Sequence, residues 1–258
     1  MKRFAVAVLA LALAGCGRAP QASTRAATAP PNVAVGELVS YGRRIITDTP
    51  QTMKGYVSAN MSCEACHPKA GTARAGSLAG IYGQFPQWNA RAHRVISLQD
   101  RIAECFLYSM NGRPPAYESR PMEAIVAYIA SLSRGTPVGA MPDPANGTPA
   151  VVAPRAASVV RGAGLYAQRC SSCHQATGAG VNGSFPPLWG ATSFNDGAGM
   201  HRLRTMAAFV RYAMPQNAPG SLTDQQAYDV SAFVLHHARP HFQRNRLVTF
   251  PARRAGYF

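Results

Sequence analysis

Acid is scarce in this chain of 258 residues, with 11 Asp and Glu against 26 Lys and Arg and a formal net charge of +15. Lysine is scarcer still, confined to Lys2, Lys54 and Lys69. The basicity is therefore that of arginine, whose planar fork suits two-point anion binding as well as solubility. No apolar run approaches the roughly 18 residues that would suggest a membrane-spanning helix. Cysteine is also sparse: of 6 residues, four fall into two short strings and only Cys16 and Cys105 remain, which excludes a disulfide framework. An apolar fraction of 47% nevertheless supports a globular core.

The two strings are Cys63-Glu64-Ala65-Cys66-His67 and Cys170-Ser171-Ser172-Cys173-His174. With this composition about 0.004 such strings per chain would arise by chance, so two are not accidental. In this pattern two thiols add to the vinyl groups of a haem and the adjacent His becomes its proximal ligand. Two covalently attached haem c groups are expected, on Cys63, Cys66 and His67 and on Cys170, Cys173 and His174. Zinc bound by the same thiol spacing would leave the position of both histidines unexplained.

Met1 to Ala14 pairs Lys2-Arg3 with the apolar run Phe4 to Ala14, the pattern of a secretory leader. Leu13-Ala14-Gly15-Cys16 resembles a bacterial lipobox, which implies cleavage before Cys16 and acylation of its thiol; the alternative is an ordinary leader cut a few residues later. The expected location is periplasmic, with the membrane reached through an N-terminal lipid only. Haem in an exported chain argues against nucleic acid as the partner of the basic surface. It points to an anionic small substrate, an acidic protein or anionic headgroups.

Composition divides the chain into a signal segment, 1–15, a flexible Ala/Pro/Thr-rich tether, 16–35, and a first haem domain, 36–134. A Pro-rich linker, 135–157, a second haem domain, 158–241, and a basic C-terminal tail, 242–258, follow. Each haem block opens on a short helix, around 36–46 and 159–168, and closes on an amphipathic one, around 121–132 and 223–236. Pro121 suits a first helical position, and Thr223-x-x-Gln226 is a capping box. This order resembles class I cytochrome c, so the expected fold is mostly α, two tandem class I cytochrome c-like domains each wrapped around one haem. His236, His237 and His241 form no recognisable site and are expected to be exposed.

Each haem needs a sixth ligand or keeps an open position. In the second domain the candidate is Met214, because Pro215 pushes it out of the preceding helix toward the haem face; Met200, His201 and Met206 compete. In the first domain a helix is expected between the capping box Ser97-Leu98-Gln99-Asp100 and the stop Asn111-Gly112. One face of it presents Arg101, Cys105 and Ser109 in a row. A lone thiol in an exported protein is a candidate ligand, with Met110, Met122 and His93 as alternatives.

The stretch Asn60-Met61-Ser62-Cys63, Phe85-Pro86-Gln87, Arg91 and Leu98-Gln99-Asp100-Arg101-Ile102-x-x-Cys105-x-x-x-Ser109-Met110-Asn111-Gly112 resembles the tetrathionate-forming thiosulfate dehydrogenases. So does Ser193-Phe194-Asn195-Asp196-Gly197-Ala198-Gly199-Met200, with the basic C-terminal tail. The resemblance implies a His/Cys-ligated active-site haem, a His/Met electron-transfer haem, and a substrate pocket holding Arg91, Arg101 and Ser109. The sequence departs from that pattern at Ala213, where some members carry a Lys that exchanges with Met, and at Tyr108, where much of the family has Arg.

A thiolate ligand stabilises ferric iron and a Met ligand raises the potential, so electrons should run from the first haem to the second. The expected function is coupling of two thiosulfate anions to tetrathionate, or the reverse, with Cys105 as ligand and transient sulfur carrier. Arg91 and Arg101 would neutralise the dianions. Another cytochrome or soluble acceptor would take the electrons. Rival readings are a dihaem electron shuttle without substrate, and a haem subunit of the Sox type acting on carrier-bound sulfur.

Overall fold

A computed structural model describes residues 31–141 and 148–242. The leader, the lipobox with Cys16, the middle of the 135–157 linker and the tail beyond Phe242 lie outside the described residues. The elements run in the order α1 (Pro31–Thr47), α2 (Thr49–Thr52), α3 (Pro68–Gly71), β1 (Gln87–Asn89), β2 (Arg94–Ile96), α4 (Leu98–Tyr108) and α5 (Arg120–Ser131). The second half holds α6 (Val159–Arg169), α7 (Ser171–His174), α8 (Leu203–Ala213) and α9 (Asp224–His236). They form two mostly helical modules, as expected for tandem cytochrome c domains.

Both modules solve the same packing problem in the same way. The first and last helices cross at a glycine: a Cβ on Gly42 of α1 would lie 1.9 Å from the Ala124 carbonyl oxygen of α5. Likewise a Cβ on Gly162 of α6 would lie 2.0 Å from the Asp229 carbonyl oxygen of α9. Backbone approach that close is open only to glycine. Around the first crossing Ile45, Ile46, Met122, Ile125 and Ile129 are buried.

The local start signals are realised. Ser97 and Asp100 close a reciprocal capping box on α4, and Thr223 and Gln226 do so on α9. Helix α1, in contrast, begins at Pro31, inside the segment expected to be tether. The second half of the Pro-rich linker is packed rather than loose. Val151 is buried with Ala207, Ala208 and Tyr228, the Tyr228 hydroxyl donates to the Val151 carbonyl at 3.1 Å, and the Arg155 amide donates to Gln225 Oε1 at 2.9 Å. Among the described residues no helix is long and apolar enough to cross a membrane.

The modules share a core. Ala59, Met61 and Met110 of the first are buried with Tyr166, Phe194, Ala198 and Met206 of the second. Polar contacts frame this seam: Asn111 Nδ2 donates to the Ser193 carbonyl at 2.7 Å, Asn195 Nδ2 to the Leu107 carbonyl at 2.9 Å, and the Asn60 amide to the Thr192 carbonyl at 2.8 Å.

Candidate functional site

The first Cys-x-x-Cys-His string is held from both ends. Thr49, fully buried, accepts from the Cys63 amide at 3.0 Å while donating to the Ile45 carbonyl at 2.7 Å, so α1 dictates where Cys63 sits. A single 3-10 turn, Cys63–Ala65, brings Cys66 after it. Burial pushes the Cys63 thiol up to about 11 and the Cys66 thiol to about 12, so both are neutral thiols in an apolar setting. His67 Nδ1 donates to the Gly76 carbonyl at 2.8 Å, since that oxygen can only accept. Nε2 is left as the ring's ligating nitrogen.

Cys105 lies within electrostatic reach of this same ring. Its burial opposes ionisation, but the Arg101 guanidinium one turn earlier and the His67 imidazole outweigh it and pull the thiol below its ordinary range. Burial thus raises the Cys63 and Cys66 thiols, while Arg101 and His67 favour Cys105 as thiolate. The Cys105 carbonyl accepts from the Ser109 amide at 3.0 Å and the Met110 amide at 3.2 Å, which closes the helix directly behind the thiol. The competing first-domain ligands are elsewhere: Met110 and Met122 are core residues at 3% and 0% exposure, and His93 is exposed at the hairpin turn.

Two features here escaped sequence reasoning. A hairpin, β1 against β2 with Asn89 opposite Arg94, delivers Arg91 to the α4 face. Asn89 Oδ1 accepts from the Arg91 and Ala92 amides at 2.9 Å each. Glu104, beside Cys105, accepts from Asn89 Nδ2 at 3.2 Å and pairs with Arg101 at 3.4 Å. Burial raises its carboxyl above the usual range, against the pull of Arg101 and Arg91. An Asn eight residues before Ser97 and a Glu flanked by Ala and Cys carry no motif, so only the fold reveals their pairing. Arg94, two-pronged onto Asp100 at 3.0 and 3.1 Å, anchors the hairpin to the α4 cap.

In the second module α7 carries Cys173 and His174, with Cys170 at its start, and His174 Nδ1 donates to the Pro186 carbonyl at 2.9 Å, again leaving Nε2 to ligate. Met214 follows α8 in extended conformation (φ −124°, ψ 149°), half-buried beside Phe209, Ala213 and, from the first module, Ala75. Of its rivals, Met206 is a core residue at 4% exposure, while Met200 and His201 are half-buried. His237, expected to be exposed, instead stacks on Trp189 at 4.0 Å and donates to the Phe233 carbonyl, so it is a packing residue; His236 and His241 are exposed.

The donor sets fit haem c at both places: paired half-buried thiols outside any disulfide, an imidazole with Nδ1 tied and Nε2 available, and a sulfur ligand candidate. A protein-only metal cluster of three or more His, Cys, Asp or Glu is absent among the described residues, which disfavours zinc. Cys63, Cys66 and Cys170 all border the core shared by the two modules.

Comparison with known proteins agrees. Residues 52–138 match the family described as SoxA/TsdA, cytochrome c domain, and residues 159–238 match Cytochrome c. The thiosulfate dehydrogenase of Allochromatium vinosum is 43% identical over 223 residues, covering 83% of this chain and 82% of that one. The chain belongs to the thiosulfate dehydrogenase family. Its relative from Stutzerimonas stutzeri, also a thiosulfate dehydrogenase, is 40% identical over 216 residues, 81% of this chain and 70% of that one. The solved thiosulfate dehydrogenase (TsdBA) from Marichromatium purpuratum superposes with a TM-score of 0.76 at 34% identity over 90% of this chain. This chain spans about half of that one, 53%. As a family member with two cytochrome c domains, the protein binds two haem c groups covalently.

Proposed function

We propose that the protein oxidises thiosulfate to tetrathionate at the first module and exports the two electrons through the second. The observation that carries this reading is the convergence of Cys105, His67 and Arg101, a thiolate-favouring sulfur opposite an oriented imidazole and beside a guanidinium. Cys63 and Cys66 would hold the first haem, with His67 and Cys105 supplying nitrogen and sulfur to its iron; Cys170 and Cys173 would hold the second, with His174 and Met214. The haems supply one-electron acceptors, one for each electron removed.

The chain's own part is the sulfur chemistry. Cys105 Sγ, as thiolate, joins the terminal sulfur of one thiosulfate: Cys–S⁻ plus S–SO₃²⁻ gives Cys–S–S–SO₃⁻ and releases two electrons. A second thiosulfate then attacks the sulfur bonded to sulfonate, forming tetrathionate and returning Cys–S⁻, with no proton consumed. Both steps join anions. Arg91 and Arg101 lower that repulsion through charge-assisted contacts, and the Ser109 hydroxyl at the end of α4 adds a donor. The shared core bordering Cys63, Cys66 and Cys170 offers the electrons a packed, apolar path between modules. They leave to another cytochrome or a soluble acceptor.

Turnover of haem-loaded protein with thiosulfate or tetrathionate is the decisive assay. Cys105→Ala should abolish it and change the low-spin EPR signal of one haem; an unchanged spectrum overturns the ligand assignment. Wild type inactive with both anions would favour the electron shuttle, and activity only on a carrier-bound substrate the Sox-type reading. Export and lipid anchoring at Cys16 belong to the same proposal. They require an acylated mature N-terminus by mass spectrometry, and a free amine at a later residue refutes them.

A further inference from the structure

Arg91 sits on an exposed hairpin turn, and its backbone is fixed by Asn89, but its side chain is held from other elements. Nη1 donates to the Gly197 carbonyl of the second module at 2.9 Å. The guanidinium carbon stands 4.2 Å over the ring of Tyr108 on α4. Tyr108 is only 6% exposed and is met edge-on by Phe242 at 4.6 Å and 61°. Phe242 is secured in turn: its amide donates to Asp196 Oδ1 at 2.7 Å, and its side chain covers Gly197 so closely that a Cβ there would come within 2.8 Å. Phe242 also packs on the buried Ala103 and Leu107 of α4.

These contacts form one chain, from the end of the second module through Phe242 and Tyr108 to the guanidinium of Arg91. We propose that Tyr108 and Phe242 are a positioning clamp for Arg91, so that anion affinity at the first haem depends on a residue at the end of the second module. The inference rests on the reading of Arg91 as an anion-binding residue. Physically, a free arginine must lose rotamer freedom to meet the dianion; one already stacked on a wedged aromatic ring has lost it beforehand. A clamp of this kind acts on binding rather than on electron release. It should therefore appear in KM and not in kcat.

The test uses haem-loaded protein. Phe242→Ala and Tyr108→Leu should each raise KM for thiosulfate about three- to tenfold, with kcat within about twofold and both haem spectra intact. Tyr108→Phe, which keeps the ring, should restore the wild-type KM. Calorimetric titration of the fully reduced protein with thiosulfate, where no electron acceptor is available for turnover, should show the same fold loss of affinity. In an Arg91→Gln background Phe242→Ala should add nothing. Should Phe242→Ala load haem poorly, Phe242→Leu, which keeps volume but not the ring, carries the same expectations. If Arg91→Gln leaves KM unchanged, the anion-binding reading itself falls, and the clamp with it. An Arg91→Gln effect with no Phe242→Ala effect, or a Phe242→Ala effect of equal size in both backgrounds, overturns the clamp alone.

Discussion

Glu104 and Arg101 allow a prediction of opposite signs at neighbouring positions. The carboxylate is 13% exposed and the guanidinium 48%, with 3.4 Å between them. A thiosulfate dianion entering beside Cys105 meets the attraction of one and the repulsion of the other. At a separation of about 8 Å a single and a double charge repel by about 4 kcal/mol at an effective permittivity of 20 and about 1 kcal/mol at 80. Because Arg101 is half exposed, the weaker figure governs. Glu104→Gln keeps an acceptor for Asn89 Nδ2 while removing the charge, so KM for thiosulfate should fall roughly fivefold. Arg101→Gln removes a charge-assisted contact of about 1.5 to 3 kcal/mol, so kcat/KM should fall at least tenfold. The double variant should recover part of that loss. Steady-state kinetics at pH 7 and low ionic strength reads all three; the Glu104→Gln gain should shrink as salt rises. If Glu104→Gln weakens thiosulfate as much as Arg101→Gln does, the carboxylate orients the arginine rather than opposing the substrate, and the electrostatic reasoning fails.

Three further outcomes follow from the fold. Gly162→Ala forces a methyl against the Asp229 carbonyl, an overpacking cost of about 1 to 3 kcal/mol that helix propensity does not offset; calorimetry should find Tm lower by roughly 3 to 10 °C, and an unchanged Tm would mean the α6–α9 crossing is looser than its geometry. Asp229 is buried, which would raise its carboxyl, but hydrogen bonds from Arg161, the Ser158 amide and Gln225 bring it below its ordinary 3.8. Its stabilisation is therefore fully present above pH 3.8 and lost as pH falls through the lower folded value, so Asp229→Asn should be destabilised at neutral pH and converge on wild type in acid. Met214→His should lower the reduction potential of one haem and remove its methionine-to-iron charge-transfer band; a spectrum that keeps the band would move the ligand to Met200 or Met206.

What could be read from the chain is what depends on neighbours in sequence. Both capping boxes, the helix stop at Asn111 (φ 52°) and the release of Met214 by Pro215 are decided within a few residues, and all four are realised. What could not be read depends on partners far along the chain. Val151 is core only because Tyr228 and Ala207 meet it, and its surroundings in sequence are those of a spacer. His237 becomes a packing residue through Trp189, 48 positions away, and Glu104 becomes part of the site through a hairpin of three-residue strands too short to leave a period-two signature.

The shared core changes what a module means in this protein. Ala59, Met61 and Met110 are at most 6% exposed because Phe194, Ala198 and Met206 cover them, so the first module alone would present an apolar face to water beside its own haem-attachment cysteines. The same cluster borders the attachment cysteines of both strings. Apolar contact at the first attachment string is thus also contact with the second. The seam between the modules is closed by polar contacts from Asn60, Asn111 and Asn195 to backbone carbonyls. On the reading proposed above, substrate affinity and electron exit both depend on this one interface, and a substitution that opened it should impair both together.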